Sequence, residues 1–458
     1  MNKVRETAYR VLYRVLEEEG YSHVELARAF RREELDKRDR SFVTRLCEGT
    51  LERLLTLDYI LNSYSKTGVE KMKPPVRTVL RMSVYQILFM DAVPDSAACN
   101  EAVELIKKKG LSGLSGFVNG VLRTIVRERE TITGQSFYPD SKTEPVRFLS
   151  LYYSMPEWIC KEWVNAYGYS VAERMVKGCL RNPATTVRVN LSRGSKEELV
   201  NRLRQQGILV KEGYYLPDAL LLESFDRLES VPEFLDGWFC VQDESSMLVA
   251  LAAGLSQGDL VLDVCAAPGG KSLHAAELLT RLGGGTVVAR DLTEAKTALI
   301  RENRDRLKCG NLQIQTWDAT VPDEAMTEKA DAVLADLPCS GLGIMAKKPE
   351  IRYRMKQENQ AALAKLQRTI LDTVQAYVKL GGVLVYSTCT INPAENREQV
   401  AYLCERYGFC VESPAELLPE RCRSLVGQDG MLQLLPGVHD CDGFFITRLR
   451  KRSKENND

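Results

Sequence analysis

The chain opens with apolar positions at helical spacing: Val4, Ala8, Val11, Leu12 and Val15 recur every three or four residues. Pro74 and Pro75 open a further helix, since proline suits a first turn, and Val76, Val79, Leu80, Ile87 and Leu88 give it one apolar side. "NEAVELIKKKG" and "GFVNGVLRTIVRERE" extend the pattern with no period-two alternation to interrupt it. Residues 1–130 are therefore expected to form an all-α domain. The polar stretch 131–145, "TITGQSFYPDSKTEP", has the composition of a linker. Over 146–238, a helical run is followed by "TTVRVNL" as a strand, "SKEELVNRLRQQG" as a helix and "ILVKEGYYL" as a strand, which predicts a small α+β segment.

From 239 to 450 the pattern changes. The strand-length runs "LVLDV", "TVVAR", "LQIQTW", "DAVLAD" and "GVLVYS" alternate with helical stretches such as "NQAALAKLQRTILDTVQAYVKL". Such alternation predicts a parallel sheet covered by helices on both faces. "MLQLLPGVHDCDGFFITRLRK" adds two closing strands, and 451–458 form a charged tail.

Composition narrows the picture only slightly. A chain of 458 residues allows about three domains, and 44% hydrophobic with 27% charged residues is the balance of a folded protein. Lys+Arg and Asp+Glu both total 62, so any polyanion must be held by local basic patches. "RREELDKRDR" at 31–40 and Lys107–Lys109 are candidates, although such clusters are usually solvated faces. The N-terminus is too charged for a secretory signal. The longest apolar stretch, around "MLVALAAGL", falls short of the roughly 20 residues a membrane span needs. A cytosolic protein with reduced thiols is the expectation. Thirteen cysteines without C-x-x-C, and only three histidines, argue against a disulfide framework or a metal site. Each cysteine taken singly reads as a small core residue.

In an open parallel sheet, ligands bind beyond the carboxyl ends of the strands. The first exit gives Asp263 and then Cys265, Ala266, Ala267, Pro268, Gly269, Gly270 and Lys271 before a helix. The glycines let backbone N–H groups approach a ligand, although the loop is neither a dinucleotide fingerprint nor a phosphate loop. The next exits give Asp291, Asp318 and Asp336. One strand-end acid is usually a helix cap, but four around a glycine-rich loop suit a ligand with amines, hydroxyls and a positive centre, such as S-adenosylmethionine. The fourth and fifth exits also deliver Cys339 and Cys389, in "ADLPCSGLG" and "VYSTCT".

"VQDESSMLVA", "VLDVCAAPGGK", "ADLPCSGLG", "KKPEIRY", "YSTCT" and "DGFFITRL", in this order, resemble the RNA cytosine-5 methyltransferases of the Nol1/Nop2/Sun family. The all-α segment resembles the NusB-like RNA-binding domain. The resemblance implies a Rossmann-like class I methyltransferase domain over 239–450, behind the NusB-like domain and a middle segment like an RNA-recognition fold. It assigns the 265–271 loop, Asp291, Asp318 and Asp336 to S-adenosylmethionine, with no metal. It makes Cys389 the nucleophile toward cytosine carbon 6 and gives Cys339 a part in product release. Asp336 is placed to hold the cytosine N3/N4 edge. Leu337 and Ala394 stand where the family commonly has Ala and Glu. A helix beginning near Pro393 is expected to favour the Cys389 thiolate, and Lys347, Lys348, Arg352 and Arg354 are expected to hold phosphates. The implied partner is RNA, foremost 16S ribosomal RNA, met by a monomer, with no DNA or membrane. The alternatives are the same chemistry on tRNA or another RNA, and an RNA-binding antitermination-type factor without activity.

Overall fold

The computed structural model describes residues 3–181 and 184–452. The expected tail falls almost wholly outside them. Packing divides the chain into two units: residues up to Arg181 together with Lys347–Arg354, and the remainder of the chain.

The first unit is helical. Its helices include Lys3–Glu17, Lys37–Glu52, Leu54–Tyr64, Pro74–Phe89, Asp95–Lys108 and Ser115–Arg127. Asp36 caps the second of these by accepting from the Asp39 N–H, and proline opens Pro74–Phe89 as the sequence predicts. The apolar faces meet in one core around Ala8, Leu12, Val43, Leu46, Leu57, Val79, Leu80 and Leu122. Gly49 is where two helices approach: a Cβ there would lie 1.9 Å from the Tyr85 hydroxyl. The stretch with linker composition is packed rather than free. Ile132 and Tyr138 are buried, and Phe137 and Tyr138 join Tyr59, Tyr64 and Tyr152 in an aromatic cluster. Its few apolar residues set its fate, whereas composition weighed its many polar ones. Helices Pro145–Tyr153, Glu157–Tyr167 and Tyr169–Gly178 complete the unit, so the division by packing falls inside the 146–238 segment.

Two of the four cations expected to hold phosphate are interior to this unit. Arg352 is fully buried and donates to the carbonyls of Glu52 (3.2 Å), Ser154 (3.4 Å) and Cys179 (3.0 Å). Arg354 donates to the carbonyls of Val15 and Gly20 and covers the Tyr21 ring. Arg352, with its guanidinium enclosed among backbone carbonyls, does not reach a phosphate, whereas Arg354 is half-buried with one nitrogen on two carbonyls, and Lys347 and Lys348 are exposed.

The second unit carries two sheets. In the first, β1 (Thr185–Val189), β2 (Leu209–Glu212), β3 (Ala219–Glu223) and β4 (Phe239–Val241) are antiparallel in the order β2-β3-β1-β4. Helix Lys196–Gln205, capped by Ser195, packs Leu199 and Leu203 against them. β3 and β4 go unpredicted, since "ALLLE" shows no alternation and β4 is only three residues long.

The larger sheet holds β5 (Leu260–Asp263), β6 (Thr286–Asp291), β7 (Leu312–Thr316), β8 (Ala330–Asp336), β9 (Val378–Thr388), β10 (Phe409–Glu412), β11 (Leu432–Leu434) and β12 (Phe444–Lys451). Their order is β10-β12-β9-β8-β5-β6-β7, with β11 on β12. The run β9-β8-β5-β6-β7 is parallel, as predicted, while β12 lies antiparallel between β9 and β10, making the sheet mixed. Alternate residues of β9 enter opposite cores: Val383 and Val385 pack with Leu279 and Ile446, and Leu384 and Tyr386 with Leu371 and Leu403. Burial on both faces is why these strands read as continuous apolar runs. Among the described residues, no helix is long and apolar enough to cross a membrane.

Candidate active site

β8 and β9 are parallel neighbours, and their register pairs Asp336 with Ser387. Cys339 lies three residues beyond the first and Cys389 two beyond the second, so the two exits deliver their thiols to one place. The sulfurs are 3.3 Å apart. The loops also meet through backbone: the Gly343 N–H donates to the Cys389 carbonyl at 3.0 Å. Residue 343 must be glycine for this approach, because a Cβ would lie 1.8 Å from the Gly443 carbonyl oxygen.

Charge separates the two sulfurs. Cys339 is held well above the ordinary thiol range, first by its hydrogen bond to Cys389, then by burial and by the negative charges of Cys389, Glu395 and Asp336. The cation of the site is Lys271. Its Nζ lies 2.5 Å from Asp336 Oδ2 and 5.3 Å from the Phe444 ring centroid. Burial works to lower its ammonium, but Asp336, Asp263 and Cys389 outweigh that and hold it above the ordinary lysine range. Asp336 also accepts from the Ser387 hydroxyl at 2.8 Å. The helix expected to tune Cys389 does not begin at Pro393. A short 3₁₀ turn covers Pro393–Glu395 and the α-helix starts at Arg397. Proline marks a first turn, but here the turn is not continued, and Lys271 supplies the positive charge instead.

The other strand exits line up beside this pair. Asp263 ends β5 fully buried, and burial pushes its carboxyl up to about 7. One oxygen accepts from Ser272 at 2.5 Å while Oδ1 makes no hydrogen bond. Gly269 adopts φ +107°, a conformation that glycine allows, where the loop turns into helix Gly270–Arg281. Asp291 ends β6 and ties this loop down, accepting the Ala267 N–H at 2.9 Å as well as the Leu292 N–H and Lys296. Asp318 lies just past β7 and accepts from the Thr320 N–H and hydroxyl, which hold its carboxyl below the ordinary range. A buried unpartnered carboxylate oxygen, a glycine turn and carboxylates at successive exits fit a ligand with amine and hydroxyl donors. Cys265 is not a reactive candidate, because burial pushes its thiol far up. Lys271, read as part of the cofactor loop, is engaged with Asp336. A cavity of about 710 Å³ opens elsewhere in this unit, against Met247, His274 and Leu278, and is lined by neither thiol and by none of these aspartates.

Sequence reasoning missed Ser387, Thr390 and Glu395. Thr390 follows Cys389 directly and Ser387 stands two residues before it in "YSTCT", and nearness was their one signal. Glu395 is fully buried among donors from both thiol loops, Ser340 and Asn392, and nothing in "NPAEN" marks it.

The chain resembles known proteins along its length. Residues 250–450 match the profile of the 16S rRNA methyltransferase RsmB/F family, 2–127 that of the NusB family, and 155–228 the ferredoxin-like domain of RsmF/B-like methyltransferases. The chain is 40% identical to the probable ribosomal RNA small subunit methyltransferase B of Bacillus subtilis over 98% of this chain and 99% of that one. It is 33% identical to the Synechocystis sp. counterpart over 98% and 100%. Among solved structures, PH0851 superposes with a TM-score of 0.81 at 23% identity over 98% of this chain and 99% of that chain. A methyltransferase homolog from Pyrococcus horikoshii superposes at 0.57 and 26% over 68% and 99%.

Proposed function

The chain belongs to the family of ribosomal RNA small subunit methyltransferases B, and we propose that it makes 5-methylcytosine in 16S ribosomal RNA, acting as a cytosolic monomer. One observation carries the chemical part of this reading: two thiols 3.3 Å apart at neighbouring strand exits, in a site that also holds the Lys271–Asp336 pair.

Carbon 5 of cytosine is a poor nucleophile because the ring is aromatic and electron-poor. Addition of the Cys389 thiolate to carbon 6 breaks the aromaticity and makes carbon 5 an enamine carbon, splitting one hard step into two easier ones. S-adenosylmethionine, when bound, supplies the electrophilic methyl group. The residues that would hold it are the 265–271 loop, Asp291, Asp318 and Asp336, with Asp263 at the base of the loop. The Lys271 ammonium is the positive charge that interacts with Cys389. Asp336, fixed by Lys271 and Ser387, is positioned to hold the cytosine N3/N4 edge as charge develops there. As the adduct breaks, water takes the carbon 5 proton, the electron pair of that C–H bond re-forms the C5=C6 double bond, and the Cys339 thiol, 3.3 Å from the Cys389 sulfur, gives its proton to that sulfur as it departs. The target base must leave its stack to reach these groups, so single-stranded or loosely structured RNA is the substrate form. The NusB-like helical domain is the natural second contact with RNA.

Methyl-tritiated S-adenosylmethionine incubated with the enzyme and undermethylated 16S ribosomal RNA should place label at carbon 5 of cytosine. Label appearing only with tRNA would reassign the substrate. No transfer to any RNA would favour an RNA-binding factor without activity.

A further inference from the structure

Glu395 is fully buried, and its carboxylate accepts four hydrogen bonds, each from an uncharged donor. The Ser340 N–H (2.8 Å) and Gln367 Nε2 (3.2 Å) donate to Oε2, and the Ser340 hydroxyl (2.6 Å) and Asn392 Nδ2 (3.1 Å) donate to Oε1. Gln367 donates to the Pro338 carbonyl as well, at 2.9 Å. The Ser340 hydroxyl has one proton, which goes to Glu395. At its 2.7 Å contact with Thr390 it must therefore accept, so Thr390 donates to Ser340 and Ser340 to Glu395. Ser340 follows Cys339 directly, and Thr390 follows Cys389 directly. One carboxylate thus gathers the backbone on both sides of Cys339 and, through two hydroxyls, the residue after Cys389. Four converging donors call for a group that only accepts. An amide in its place would set an NH₂ against at least one donor, and a buried donor without a partner is costly.

We propose that Glu395 is a positioning residue for the two-thiol reaction, setting the separation and aim of Cys339 and Cys389 through Ser340 and Thr390. The proposal rests on the reading that Cys389 adds to cytosine and Cys339 resolves the adduct. Its negative charge adds a second effect, disfavouring ionisation of Cys339 and so keeping that sulfur a proton carrier. Glu395 touches neither substrate nor reacting atoms; it acts through the two loops.

The test is the full-length Glu395→Gln variant, assayed in single turnover with 16S ribosomal RNA and S-adenosylmethionine. Misplacing one thiol by about 1 Å should lower kcat by about 10- to 100-fold. KM for S-adenosylmethionine should hold, since the cofactor loop is untouched. The protein–RNA adduct should outlive that of the wild type on denaturing gels, and iodoacetamide should reach Cys339 at lower pH. A purely structural role would instead lower kcat in step with the fraction unfolded and leave adduct lifetime and alkylation profile alone; that result, or wild-type kinetics, overturns the proposal. Should Glu395→Gln not fold, Ser340→Ala decides: it removes the hydroxyl relay but keeps the backbone contact, and wild-type kcat and adduct lifetime there overturn the proposal equally. If neither wild type nor Cys339→Ala gives an adduct while label is transferred, the two-thiol reading fails and takes this proposal with it. An adduct in both, with Glu395→Gln like wild type, overturns the positioning role alone.

Discussion

The exits of β8 and β9 carry the same side chain a few residues past paired positions, in loops that touch, and yet their two sulfurs stand in different fields. Cys339 is surrounded by burial and negative charge, from Asp336 on its own loop and Glu395 on the other. Cys389 is coupled to the Lys271 ammonium, which comes from the loop after β5. In each case a decisive charge is borne by a different strand exit from the one that bears the cysteine. The sheet's order, and not either loop's own residues, divides the labour between two identical groups.

That difference can be broken most severely at Cys389. Cys389→Ala should reduce methyl transfer on the order of 10⁴-fold or more, the scale of losing a covalent nucleophile, and abolish trapped adduct. An adduct persisting in that variant would exchange the two roles. Cys339→Ala should cost about 10²- to 10⁴-fold in turnover, the range of a general acid–base group, but accumulate adduct on denaturing gels. An adduct that turns over at the wild-type rate there would remove Cys339 from the reaction. A smaller effect tests the cation itself: Lys271→Met leaves Asp336 without its 2.5 Å partner and should lower methyl transfer and slow alkylation of the thiol pair together, by about 10-fold. Unchanged alkylation would leave the asymmetry without its cation. Smallest is an effect downstream of the β8 exit, where the four cations separate. Lys347→Ala with Lys348→Ala should leave melting unchanged and flatten the salt slope of RNA affinity by about 1.4, at roughly 0.7 per single-strand phosphate contact. Arg352→Met should instead destabilise the helical unit by about 1–3 kcal/mol, read as a lower denaturation midpoint. The opposite pattern would return Arg352 to the phosphate-binding set.

How much of this was legible beforehand follows from where each signal resides. Apolar runs buried on both faces announced β5, β6, β8 and β9, the alternating "LQIQTW" announced the mostly exposed edge strand β7, and the acid or cysteine at each exit could be read directly. β3, β4 and β10 were silent, being short or without alternation. The convergence of Cys339 and Cys389 needed the β8–β9 register, which no spacing of 50 residues encodes. Arg352 looked like a surface cation because its partners, the carbonyls of Glu52, Ser154 and Cys179, are backbone groups far away in the chain. Backbone partners leave no compositional trace. Glu395 was hidden for the same reason: its donors come from residues 340, 367 and 392, and only folding gathers them.

The Lys347–Arg354 segment bears on how the protein can be dissected. These eight residues pack with the helical unit although more than 160 residues of chain separate them from the rest of it. A gene fragment that stops at residue 181 would encode every helix of that body except the short Ile351–Arg354 turn, and would omit the arginine that occupies its interior and the Glu350 carboxylate that meets Ser22. Expressed alone, such a fragment carries three interior carbonyls stripped of their shared donor. The natural modules of this protein are therefore not contiguous stretches of its reading frame, and an exchange of the N-terminal body between relatives must carry the distant eight-residue piece along with it.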